Sequence, residues 1–259
     1  MGHHAAAGKQ VFAFDFDGTL CDGLNECLLV TWNGYHQLGL EAFGDEGLRN
    51  IPEAFAARFS HLRNFSKHLG HFAVALLTES PVETQEQFDR VYEAMDEDQV
   101  YDFMTRVTQY RHAARSAFQN EWLAYHAFYP GVTRFLRSSS EPLYVVTAKD
   151  AESVQAIFTA NNIEIPQHRI FGEQRAKVGA LDTIAGQENI DKSQLFFFDD
   201  NVFNAIEARR AGYSAYWAGW GYSTQAHYEL AARAGMNPMS LDRFVMGGFE
   251  ECPSYSCTA

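Results

Sequence analysis

Two aspartates one residue apart, Asp15 and Asp17, close the apolar run of VFAFDFDGTL, and Gly18 follows at once. A second acid pair, Asp199-Asp200, closes QLFFFDD, and Thr147 stands at the end of PLYVVTA. Short apolar runs bounded by turn residues read as buried strands, and a carboxylate at the end of such a strand loses solvation that something must replace. Four acids gathered at one sheet edge push one another's pKa values up unless a cation sits among them. An all-oxygen set rich in carboxylates selects a hard divalent ion, and Mg²⁺ characteristically shares its shell with water and a substrate phosphate. One aspartate is then available as a nucleophile, and an acid two residues on can protonate a leaving oxygen and later activate water. Charge on a phosphoryl group also calls for donors, for which Thr147 and Lys177 are the candidates. Lys177 precedes an apolar helical pattern (Val178, Leu181, Ile184), where a cation opposes the helix macrodipole unless an anion holds it there.

These residues need a scaffold that brings distant strand ends together. Residues 10–17 have a strand pattern, residues 22–129 read as helices, and from Tyr129 onward strands and helices alternate. In the middle block, VETQEQFDRVYEAMDEDQVYDFMTRVTQYRHAARSAFQNEWLAYHAFY repeats apolar residues every three or four positions without Gly or internal Pro, the pattern of a helical bundle. Pro130-Gly131 ends it with turn chemistry. The pattern beyond predicts a helix over 132–139, a strand over 142–148 and a helix over 151–161. A short strand near 169–172, a helix from about Ala176, a strand over 194–200, a helix through Arg210 and a strand over 213–219 complete it. Continuously apolar strands separated by helices predict a parallel sheet covered on both faces. The expected fold is therefore α/β, a Rossmann-like core over 9–21 and 130–250 interrupted by an inserted helical domain over 22–129. Residues 1–8 read as a tag remnant without function. In such sheets ligands sit at the carboxyl ends of the strands, where the acids and Thr147 fall.

Composition narrows the partners. The net charge of −13 with no basic block argues against a long nucleic-acid backbone, and no apolar run is long enough for a membrane span. Cys21, Cys27, Cys252 and Cys257 form no CxxC pair, so reduced thiols and a cytoplasmic location are expected. Arg58, His61, Arg63, Lys67, His68, His71, Arg106, Arg111, His112 and Arg115 read mostly as a solvated helix face, with one or two reading substrate. YWAGWGY (216–222) reads as core plus a rigid loop.

Taken together, FDFDGTL, YPGV, YVVTA, the helix-initial Lys177 and FFFDDNVFNAIEARRAG resemble the haloacid dehalogenase superfamily, in particular its Mg²⁺-dependent phosphatases with a helical cap inserted after the first motif. The resemblance spans residue 10 to about 245, with Asp15, Thr147, Lys177 and Asp199 spaced 132, 30 and 22 residues apart. It implies that Asp15 is the nucleophile and a Mg²⁺ ligand, and that Asp17 is the acid/base and lends the metal its backbone carbonyl. It further implies that Thr147 and Lys177 bind the phosphoryl group, that Asp200 is a metal ligand, and that Asp199 is an additional or outer ligand. Many relatives have Gly-Asp where this chain has Asp199-Asp200, an Asp where it has Asn204, and, in phosphoglycolate phosphatases, an Asn where it has Ala148. Haloalkanoic dehalogenases lack an acid at the position of Asp17, so Asp17 points to a phosphoester. The implied activity is hydrolysis of a small phosphorylated metabolite, such as 2-phosphoglycolate or a sugar phosphate, through an aspartyl-phosphate intermediate. The alternatives are a phosphomutase of the same superfamily and a non-catalytic small-ligand binding protein.

Overall fold

The computed structural model describes residues 9–79 and 81–249. Residues 1–8, Cys252 and Cys257 lie outside the described residues. The described residues divide into two compact units: one holds 9–20, Tyr129–Gly221 and 227–249, and the other holds Cys21–Phe128 and Tyr222–Ala226.

The first unit is a six-stranded, all-parallel sheet with flanking helices, the Rossmann-like arrangement expected from the alternation. Its strand order is Ile170–Phe171, Leu143–Val146, Val11–Phe14, Leu195–Asp199, Ser214–Ala218, Pro238–Met239. Because strand side chains alternate faces, the run VFAF supplies both. Val11 and Ala13 pack with Tyr144, Val146, Leu181, Ile184 and Phe197 on one face. Phe12, Phe14, Phe196 and Phe198 stack with Phe135, Phe244 and Phe249 on the other. Burying each such ring contributes roughly 1.5–3 kcal/mol, which is why these strands carry no polar alternation. The helices after the strands start where sequence chemistry starts them: Asp150 caps Ala151–Ala160 and Asn201 caps Val202–Arg210, each through its side-chain oxygen on a backbone N–H.

The second unit is mainly helical. Its longest helix, Glu97–Ala117, is capped by Asp96, and Gln85–Glu93 opens with a Thr84–Gln87 capping box. The expectation of helices throughout misses a two-stranded antiparallel pair, Cys21–Asp22 with Ala127–Phe128, too short to show any periodicity. Cys21 and Cys27 are buried here and are not joined in a disulfide among the described residues. Three of the basic residues expected on a solvated face are instead buried, because each finds partners inside the unit. Arg111 grips the fully buried Glu26 through Nε at 2.7 Å and a terminal nitrogen at 3.2 Å. Arg63 donates to Ser66 O and lies over the Tyr222 ring. His71 accepts from Lys67 N and packs against Tyr92. Among the described residues no helix is long and apolar enough to cross a membrane.

Candidate active site

The first strand lies between Leu143–Val146 and Leu195–Asp199, so its carboxyl end is the point where successive connections diverge to opposite sides, the place where open α/β sheets bind ligands. Phe14 pairs in register with Val145 and Phe198, which sets Asp15 beside the ends of both neighbours, and the Asp15 N–H donates to Phe198 O at 2.8 Å. Gly18 takes φ of 91°, a left-handed conformation that a residue with a Cβ resists, and the chain turns there as the sequence suggested.

The structure brings Asp15, Asp199 and Asp200 together, with carboxylate oxygens within 4.8 Å of one another. Lys177, at the start of helix Val178–Glu188, reaches into this group: its Nζ donates to Asp15 Oδ1 at 2.7 Å and to Val146 O at 2.5 Å, and lies 3.6 Å from Asp199 Oδ2. Burial alone would lower the Lys177 ammonium, but Asp15 and Asp199 outweigh it and hold the group above the usual lysine range. Burial pushes the Asp199 carboxyl up to about 7, with Asp15 adding to the rise, while Lys177, the Asn201 N–H and the Asn204 amide pull against it. Asn204 donates to Asp199 Oδ2 at 3.0 Å, and Asn201 N donates to Oδ1 at 2.7 Å. Asp199 is thus engaged on both oxygens.

Asp200 is fastened from the first motif and from behind. Its N–H donates to Thr19 Oγ1 at 2.9 Å, and its carbonyl accepts from the Trp217 indole at 2.8 Å. Trp220 donates in turn to Thr19 O. At Gly221 a Cβ would lie 2.3 Å from Gly18 O and 2.4 Å from Asp200 Cβ, so only glycine lets this loop come so close. YWAGWGY is therefore core plus a tight loop, with its indoles serving as braces for the acid turns. Thr147 is buried, and its hydroxyl oxygen accepts from Lys149 N at 3.2 Å, leaving its own proton to donate. Lys149 Nζ lies 3.5 Å from Asp17 Oδ2. Lys149, Thr19, Trp217 and Trp220 were not singled out from the sequence, although Thr19 lies inside FDFDGTL and Lys149 only two residues past Thr147.

The donor set fits a divalent cation. Asp15, Asp17, Asp199 and Asp200 against Lys149 and Lys177 leave two formal negative charges, and all the carboxylate ligands are hard oxygens.

The fold is similar to that of solved haloacid dehalogenase-like hydrolases and phosphatases. The chain is similar to a haloacid dehalogenase-like hydrolase from Streptococcus pneumoniae (18% identity, 94% of this chain and 99% of that one, TM-score 0.57). It is similar also to a predicted phosphatase from Clostridium acetobutylicum (16% identity, 95% and 100%, TM-score 0.59) and to a predicted phosphoglycolate phosphatase from Haemophilus somnus 129PT (18% identity, 94% and 100%, TM-score 0.61). No family model and no curated protein matches the chain.

Proposed function

We propose that the chain is a Mg²⁺-dependent phosphatase that hydrolyses a small phosphomonoester through an aspartyl-phosphate intermediate on Asp15. The observation that carries this reading is the seating of Asp15 at the switch point, one oxygen held by Lys177 at 2.7 Å and both Asp199 and Asp200 beside it.

Asp15 and Asp200 would hold Mg²⁺ with the backbone carbonyl of Asp17, Asp199 supporting from outside. The ion, when bound, offsets charge on the phosphoryl oxygens and orients them. The Lys177 ammonium and Thr147 hydroxyl donate to those oxygens as charge spreads over them. The Asp15 oxygen not engaged by Lys177 attacks phosphorus, the ester P–O bond breaks, and Asp17 passes its proton to the departing oxygen so that a neutral alcohol leaves. Water then attacks the phosphorus of the aspartyl phosphate while Asp17 takes its proton, and the P–O bond to Asp15 breaks to free phosphate and restore the carboxylate. Small phosphorylated metabolites are the substrate class this supports, 2-phosphoglycolate and sugar phosphates among them.

The test is phosphate release from p-nitrophenyl phosphate and a panel of small phosphate esters, with Mg²⁺ and with chelator, for the wild type and Asp15→Asn. Release that needs Mg²⁺ and vanishes in the variant is the expected result. A folded wild type that binds Mg²⁺ yet releases nothing refutes the reading, and recovery of an isomerised sugar phosphate instead makes the protein a mutase.

A further inference from the structure

Lys149 is used by none of the steps above, yet its side chain is 2% exposed and its ammonium faces Asp17 Oδ2 at 3.5 Å. Its backbone is anchored on both sides: Lys149 N donates to Thr147 Oγ1, and Lys149 O accepts from Glu173 N at 3.1 Å. Gly172 packs so closely here that a Cβ would lie 2.9 Å from that carbonyl and 2.5 Å from Ala151 N. The lysine is therefore delivered from a fixed backbone, and a buried ammonium is too costly to be placed by chance. Asp17 Oδ1, the other oxygen of the same carboxylate, is buried and has no hydrogen-bond partner among the described residues. One oxygen faces a cation; its twin is left for something the protein does not supply.

We propose that Lys149 is a positioning residue for Asp17: by holding Oδ2, it presents Oδ1 as the oxygen that exchanges a proton with the leaving-group oxygen and then with water. The inference rests on the phosphatase reading. A carboxyl free to rotate about its last torsion places either oxygen at the reacting centre only part of the time, and proton transfer depends on that placement. Fixing Oδ2 selects one rotamer.

The test exploits the fact that an activated leaving group departs without a proton and a basic one does not. A series of aryl phosphates from p-nitrophenyl through phenyl to p-methoxyphenyl phosphate is assayed for kcat/KM, which reports the first transfer, with wild type, Lys149→Met, Asp17→Asn and the double variant. For Lys149→Met the loss is expected to grow along the series, from under about 3-fold on the nitro ester to about 30-fold or more on the methoxy ester, a share of the roughly 10²–10⁴-fold that general acid catalysis supplies. In the Asp17→Asn background the same change is expected to cost little more, since the two act as one unit. The Mg²⁺-induced rise in melting temperature is expected to persist in Lys149→Met. A uniform loss across the series, no loss, or a full additional loss in the double variant overturns the assignment. If Lys149→Met does not fold, Lys149→Gln gives the same comparison with a polar side chain, and failure of both to fold assigns Lys149 to the scaffold and overturns the proposal. A wild type that releases no phosphate from any ester refutes the phosphatase reading itself, and this inference with it; the wild-type series is read first, so the two failures are distinct.

Discussion

Replacing Lys177 by Met tests the charge balance of the site without reference to turnover. The ammonium bonds Asp15 at 2.7 Å and Val146 O at 2.5 Å and lies 3.6 Å from Asp199 Oδ2, so its loss leaves carboxylates buried without their cation. Breaking a buried pair in this way costs about 3–5 kcal/mol, and at roughly 2–4 °C per kcal/mol for a chain of this size the melting temperature in chelator should fall by about 6–20 °C. Part of the penalty is relieved by protonation. Asp199 is already pushed up to about 7, chiefly by burial, and Lys177 is what pulls it down, so the variant raises it further. An acid whose folded pKa lies above its unfolded value loses stability as pH rises through that folded value; the gap between wild type and variant should therefore widen from pH 6 to pH 9. Two formal negative charges become three in the variant, so saturating Mg²⁺ should raise its melting temperature more than it raises the wild type's. Calorimetry in EDTA and in Mg²⁺ across that pH range reads all three. A variant within about 3 °C of wild type in EDTA, or a Mg²⁺ shift no larger than the wild type's, refutes the argument that the acids are held by Lys177 and completed by a cation.

Two further expectations concern the scaffold. Arg111→Met should destabilise the protein by about 3–5 kcal/mol in urea, because the fully buried Glu26 loses both hydrogen bonds from the guanidinium; adding Glu26→Gln removes the buried charge, keeps an acceptor for the Trp122 indole, and should recover most of the loss, whereas equal instability of the double variant counts against the account. Glu188, whose pKa is lowered chiefly by Lys9 and then by Tyr144, contributes stability that is present above the ordinary glutamate value of about 4.3 and is lost as pH falls through its lowered one. Glu188→Gln should then cost about 1 kcal/mol or less at pH 7 and nothing at pH 2, as followed by thermal melts at the two pH values.

The strand–helix alternation was legible because the three central strands of the sheet are buried on both faces. VFAF, LYVV and LFFFD leave no ambiguity of period, and their ends fall beside Asp15, Thr147 and Asp199 as the apolar runs predict. The two-residue strands Cys21–Asp22, Ala127–Phe128 and Pro238–Met239 are too short to show a period and were not predicted, whereas the equally short Ile170–Phe171 was placed by its position between two helical patterns. The helices Gln225–Arg233 and Leu241–Val245 were also unread, hidden behind the aromatic run at 216–222. At the site, charge and spacing marked the acids and Lys177, but not what braces them. Asn204 stood out only as a departure from an acid, whereas its amide secures Asp199. Lys149 was not singled out at all, because only the turn after Val146 carries it inward to Asp17.

The place of the first strand in the middle of the sheet also sets a timetable. Phe12 pairs with Leu143 and Val11 with Leu195, partners 131 and 184 residues further along the chain. At roughly 5–20 residues per second of synthesis, the strand emerges about 7–26 s before its first neighbour exists and longer still before its second. Throughout that interval VFAF has both edges open and no face covered, in the company of a complete helical segment that offers it no place in a sheet. Such an exposed, uncharged strand is a template for pairing with other chains, and long-range parallel pairing closes slowly. The nascent chain therefore depends on keeping its first strand sheltered, and the nucleophile's own strand is the segment whose misassociation would be the most direct route to aggregated, inactive protein.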